Sequence, residues 1–180
     1  MPKIVSKAGM TIPPITFKTR VRDESIGGDN PYRWQDVTTD EIFLKKKVLV
    51  FLLPGAFTPT CTNEQLPGFE SRYDDFIAAG VDEIYCASVN DAFVMNAWAK
   101  SLGIEKVKML PDGSGQLTQA LGMTVFKDNL GFGKRAWRSA MMVVDRRITH
   151  WWEEDGRRDD YEFDPYEATC PDVIYNALVG

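Results

Sequence analysis

The residues most suggestive of chemistry lie in one stretch, PGAFTPTCTNEQLPGF, from Pro54 to Phe69. Cys61 falls just past the point where a buried strand hands over to a helix, whose start is marked by Thr58 and Pro59. Amides in a first helical turn have no partner within the helix, and the helix dipole puts partial positive charge there. Both favour a thiolate, and cysteines so placed have pKa values lowered from about 8.5 to roughly 3.5–7.5. Thr58 stands three residues before Cys61, where a disulfide oxidoreductase of this layout would carry a second cysteine. Thr-x-x-Cys closes no local disulfide, but the hydroxyl can donate to and accept from an oxygen held beside the sulfur. The plainer alternative is that Cys61 is a small hydrophobe packed under the helix.

Other reactive residue types read differently. Cys86, in EIYCASV, sits among apolar neighbours of a strand and is expected in the core. Cys170, in YEATCPDVI, lies in a polar loop before a terminal helix. The spacing of Cys61, Cys86, Cys170 and His150 is far from paired Cys-x₂₋₄-Cys ligands, so no metal is expected. The glycines of DGSGQ and LGFGKR fit neither a dinucleotide fingerprint nor a P-loop, so they read as turns and no cofactor is expected. Arg157–Asp160 reads as a solvated loop, and His150 as a half-exposed strand residue. Trp151 and Trp152 point to opposite sides, one to the core and one to the surface or an interface.

The elements that must position these residues can be read from periodicity. KVLVFLLP, Lys47–Pro54, is a continuous apolar run, as expected of a strand buried on both faces. A helix from about Thr60 to Ala79 comes next, kinked by Pro67 and closed by Gly80. Then come a strand at Glu83–Ser88, a helix beginning near Asp91, a strand at Lys106–Leu110 and a short helix at Gln116–Leu121. Gly122–Trp137 reads as irregular. Two adjacent strands, RSAMMVVD and RITHWWEE, turn at Arg146–Arg147, and a last helix starts near Asp172. Ile15–Val21 and Tyr32–Val37 form an N-terminal hairpin extension. The alternation predicts an α/β fold with a central mixed sheet flanked by helices on both faces.

Composition bounds the function. At 180 residues and 20.3 kDa, with 44% hydrophobic and 12% aromatic residues, the chain reads as a single domain spanning 1–180 and not as a disordered segment. A net charge of −5 argues against a general nucleic-acid binder. No apolar run is long enough to span a membrane, and MPKIVSKAGMTIPPI lacks the apolar core of a secretory signal. Three cysteines are too few for a secreted disulfide framework, so a cytoplasmic, reduced-thiol protein is expected.

PGAFTPTC followed by LPGF resembles the active-site segment of peroxiredoxins, specifically the type II or type 5 subfamily and the peroxiredoxin part of hybrid peroxiredoxin–glutaredoxin proteins. The resemblance continues through Val81–Trp98, Leu110–Met123 and Leu130–Val143. It implies a thioredoxin-like fold and thiol-dependent reduction of hydrogen peroxide and organic hydroperoxides. In the family motif Pro-x-x-x-Thr-x-x-Cys, Cys61 matches the peroxidatic nucleophile, Thr58 the residue that holds the peroxide, and Pro54 the shield against water. The family's active-site arginine maps onto Arg138, with Arg135 as its rival in the same loop.

Two positions depart from the pattern: Gln65 stands where the subfamily typically has histidine, and Ser139 where it commonly has an aromatic residue. Gln65 can hydrogen-bond but not titrate, and Ser139 would leave a smaller aromatic wall. The resolving cysteine is left open between Cys170 and Cys86, beside a single working cysteine reduced by glutathione with glutaredoxin or by thioredoxin. The resemblance also implies a homodimer packed near the active-site end of the sheet. A different class of reading is a redox-sensing binding protein or chaperone on the same fold, without efficient turnover.

Overall fold

A computed structural model of the chain describes residues 3–180. In chain order the elements are β1 (Thr16–Arg22), β2 (Tyr32–Thr38), α1 (Thr39–Phe43) and β3 (Lys47–Leu52), then α2 (Leu66–Ser71), α3 (Tyr73–Ala78) and β4 (Glu83–Ser88). After them come α4 (Ala92–Ser101), β5 (Lys108–Pro111), α5 (Gln116–Ala120), β6 (Thr124–Phe126) and β7 (Lys134–Ala136). The chain ends with β8 (Ser139–Val144), β9 (Arg147–Glu153) and α6 (Pro171–Val179).

The central sheet has the order β5-β4-β3-β8-β9. β3 pairs in parallel with β4 and antiparallel with β8, so the sheet is mixed as expected. Val48 through Leu52 are all fully buried, each contributing about 1.5–3 kcal/mol relative to exposure. Their side chains alternate between two cores. Val48, Val50 and Leu52 meet Phe43, Leu117 and Trp137 on one face; Leu49 and Phe51 meet Phe69, Phe76, Met95 and Trp98 on the other. Hence β3 is pinned from both sides, and its C-terminal end is a fixed platform for the loop that carries Pro54, Thr58 and Cys61.

Four details depart from the sequence expectations. The long helix is not merely kinked at Pro67: Cys61–Gln65 form a π-helical turn, closed by the Leu66 amide on the Cys61 carbonyl, and a second break falls at Arg72. Pro67 has no amide to donate backwards, and a widened turn just before it absorbs that loss. The segment 122–137 is not irregular throughout, because β6 and β7 pair as a short antiparallel hairpin. Three-residue strands carry too little alternation to be read from sequence. The β8–β9 turn falls at Asp145–Arg146, both with positive φ, one residue earlier than expected. Trp151 and Trp152 do face opposite sides, but β9 is an edge strand, so each is half-buried against a different core. His150 is exposed and stacks on Trp152.

Candidate active site

The site forms where β3 ends. Its antiparallel register with β8 sets Leu52 opposite Ser139. Arg138, one residue before β8, therefore sits beside the loop that leaves β3 for Cys61. That loop is tightly held: the Ala56 amide donates to Asn90 Oδ1 at 3.0 Å, and the Thr58 hydroxyl to the Gly55 carbonyl at 2.7 Å. Phe57 adopts a left-handed φ of 64°, which turns its ring outward. Gly55 lies in close approach to the Arg135 guanidinium, which an added Cβ would push aside. Pro54 is buried, Thr58 half-buried, and the helix bearing Cys61 starts at Pro59.

Cys61 is fully buried, with Arg138 Nη2 3.2 Å from its sulfur across 77 residues of sequence. Arg138 is itself only 2% exposed, and every arm of its fork is engaged. Nε donates to Gln65 Oε1 at 2.8 Å; Nη1 donates to Asp164 Oδ1 and to the Pro165 carbonyl, both at 2.7 Å; Nη2 also reaches Asp164 Oδ2 at 3.3 Å. Burial opposes the Arg138 cation, but Cys61 and Asp164 outweigh it and hold its pKa above the usual guanidinium value. Arg135 is set differently. It donates through Nη1 to the Pro54 carbonyl at 3.1 Å and through Nε to the Phe132 carbonyl, and burial lowers its pKa, with Cys61 acting the other way. Arg138 touches the sulfur, whereas Arg135 braces the loop beneath it.

Gln65 makes its hydrogen bond to Arg138, which fixes its amide orientation and leaves Nε2 buried without a partner. Ser139 is buried and donates to the Trp137 carbonyl. The aromatic face beside the guanidinium comes instead from Tyr166, its ring centroid 5.6 Å from Arg138 Cζ. Burial raises the Tyr166 phenol pKa well above normal.

Sequence reasoning overlooked Asp164, Tyr166 and Glu154. Glu154, 1% exposed, accepts from the amides of Glu167, Ala168 and Thr169 and from the Thr169 hydroxyl, at 2.6 to 3.0 Å. Its own amide donates to the Arg138 carbonyl at 3.1 Å. One carboxylate thus ties the loop that carries Asp164 and Tyr166 to the strand that carries Arg138. No sequence signal marks this, since a Glu at a strand end ordinarily reads as solvated.

The three cysteines are free and are not brought together alike. Cys86 lies in β4 opposite Phe51, fully buried; burial pushes its thiol pKa well up, and Cys61 adds to the shift. Cys170 caps the start of α6, half-buried, with Sγ 3.4 Å from the Glu167 carbonyl. Its neighbour Pro171 packs against Gly68, seven residues along from Cys61. Among the described residues no three His, Cys, Asp or Glu side chains converge as metal ligands would.

Residues 7–169 match the family described as Redoxin. A peroxiredoxin from Sinorhizobium fredii, y4vD, is 56% identical over 93% of this chain and 89% of its own length. The hybrid peroxiredoxin hyPrx5 of Haemophilus influenzae is 47% identical over 96% of this chain, which spans 66% of that protein. In structure, the Plasmodium falciparum antioxidant protein, a 1-Cys peroxiredoxin, superposes with a TM-score of 0.88 at 33% identity, covering 95% of this chain and 98% of the other. The chain is a peroxiredoxin. Its fold is the α/β, thioredoxin-like fold of that family, and its activity is that of a thiol-dependent peroxidase. As a peroxiredoxin it takes hydroperoxides as substrates and thiols as reductants. No helix among its described residues is long and apolar enough to cross a membrane.

Proposed function

We propose that Cys61 is the peroxidatic nucleophile and that Arg138, Thr58 and Pro54 act directly around it. The observation that carries this reading is the buried guanidinium 3.2 Å from a buried sulfur at the start of a helix. A desolvated cation and unpaired first-turn amides favour the thiolate form. The Cys61 thiolate attacks one peroxide oxygen: an S–O bond forms, the O–O bond breaks, and the sulfur loses two electrons to become a sulfenic acid. The departing oxygen leaves as alkoxide or hydroxide and takes a proton to become alcohol or water. Charge moves from sulfur towards that oxygen, and Arg138 spans the path with donors fixed by Gln65, Asp164 and Pro165. The Thr58 hydroxyl gives up its Gly55 carbonyl to hold the peroxide, and Pro54 keeps water from the sulfur.

Two thiols then reduce the sulfenic acid to thiol and water while forming their own disulfide. We favour glutathione with glutaredoxin for this role over thioredoxin. The relationship to a hybrid peroxiredoxin supports it. So does the placement of Cys170, whose chain is held by the four hydrogen bonds on Glu154 and packed at Gly68. Gly68 lies about 10 Å along the helix from Cys61, at about 1.5 Å per residue. Closing Cys61–Cys170 therefore needs both elements to rearrange, and Cys61–Cys86 needs the helix start that carries Cys61 to unfold locally. Exposed Phe57 and Phe163 at the mouth of the site support a homodimer packed over that end of the sheet. Three free cysteines suit a reducing cytoplasm. Residues 1–180 are read as one domain, in keeping with an accessible surface of 8817 Å² against about 8,800 Å² for a compact body of this mass.

The test is peroxide consumption by the reduced protein, run in parallel with glutathione plus glutaredoxin and with thioredoxin. Turnover with glutaredoxin that survives Cys170→Ser and vanishes in Cys61→Ser is the expected result. One stoichiometric reaction followed by a stall with both reductants would instead favour the redox sensor.

A further inference from the structure

Against Thr58–Thr60, just before Cys61 in the chain, opens a cavity of about 370 Å³, whose walls include Pro54, Thr58, Leu130, Phe132 and Tyr161. Lys127 also lines it, although that residue is only 4% exposed. A lysine so buried is ordinarily paired with a carboxylate. None of the ion pairs among the described residues includes Lys127. Its ammonium instead faces the Trp137 ring, with Nζ 5.7 Å from the centroid. The backbone that carries it is fixed. Its amide donates to the Gly133 carbonyl, and its carbonyl accepts from the Leu130 and Phe132 amides.

Two acidic residues share the cavity, and neither neutralises it. Asp164 is spent on Arg138, and Glu162 is exposed to water. Burial lowers the Lys127 pKa; Asp164 works against that, Arg138 with it, and Cys61 against it. A largely buried cation beside the apolar Leu130, Phe132 and Tyr161 gains most from an anion that arrives attached to apolar surface.

We propose that Lys127 is a specificity-determining residue that selects hydroperoxides bearing a carboxylate on an apolar chain. The carboxylate pairs with the ammonium, the chain lies against Leu130, Phe132 and Tyr161, and the peroxide reaches Thr58 and Cys61. This rests on the peroxidase site described above and adds a substrate class to it.

The experiment compares a medium-chain fatty-acid hydroperoxide with its methyl ester, which keeps the chain and the peroxide but loses the charge. Hydrogen peroxide is run alongside, on the reduced full-length protein. The acid should react about fivefold faster than the ester, equivalent to about 1 kcal/mol. The ratio should fall towards one in Lys127→Met, persist in Lys127→Arg, and shrink as salt is raised. Equal rates for acid and ester in the unaltered protein overturn the proposal, as does a preference that survives in Lys127→Met. If Lys127→Met does not fold, the unaltered protein's ratio and its salt dependence still decide. Failure to consume hydrogen peroxide would strike the peroxidase site itself and not the selectivity.

Discussion

Cys61 and Cys86 are equally buried and belong to the same apolar cluster, yet their surroundings differ in kind. Cys86 is enclosed by strands, with Phe51 opposite on one side and Met109 on the other, and burial pushes its thiol pKa far up. Cys61 sits at the start of a helix with a guanidinium against its sulfur. Burial by itself therefore preserves a thiol. Reactivity needs a cation brought into the same dry space, and that cation must be held by groups that do not themselves neutralise the sulfur. Here a half-exposed Asp164, a carbonyl and an amide do the holding.

The sharpest way to break the contrast is to make the surroundings of Cys61 more like those of Cys86. Arg138→Met keeps the bulk and removes the cation and its fork. Peroxide reduction should fall by about 10²–10³-fold, the range seen when one donor to a developing anion is removed. Stopped-flow oxidation of Cys61 reads this directly, and an unchanged rate would mean the guanidinium is structural. A smaller effect is expected one contact further from the sulfur. Asp164→Ala frees the Arg138 fork on one side, and the rate should drop about fivefold, since the carboxylate is nearly half exposed and its pairing is discounted accordingly. Asp164→Asn, which keeps an acceptor, should recover much of that loss. A purely structural role would not distinguish the two variants at equal thermal stability.

How far the molecule can be read from its sequence divides along the same line. The inner strands β3 and β8 are legible because each is a nearly continuous apolar run, and Cys61, Thr58 and Pro54 stand out by their spacing in one short stretch. Arg138 is nominated by resemblance, and the β3–β8 register accounts for how a separation of 77 residues is bridged to the sulfur. Asp164, Glu154 and Lys127 give no sign. Each is a charged residue in a loop or at a strand end, where charge ordinarily means solvent. Contact with residues distant in sequence sets them apart, and no local pattern encodes that. The π-helical turn at Cys61–Gln65 is hidden for a related reason: Pro67 announces a disturbance, but not whether the helix bends or widens.

The least disruptive test addresses Cys86 alone. Its pKa is raised in the folded state, so below about pH 8.5 both folded and unfolded chains carry the proton and the group contributes nothing to the pH dependence of stability. Above that, the unfolded chain releases the proton while the folded chain retains it. Fewer protons are then bound in the unfolded state, and stability falls by up to about 1.4 kcal/mol per pH unit. Tyr85 and Tyr166, also raised by burial, add the same sign of slope only above about pH 10. Cys86→Ala should cost about 1 kcal/mol at neutral pH through lost packing, yet remove the component that begins near pH 8.5. Denaturant unfolding of the two proteins from pH 7 to 10 isolates it as a difference curve. A flat difference would mean that Cys86 ionises as easily inside the sheet as outside, and that strand burial is not the cause of this second sulfur's silence.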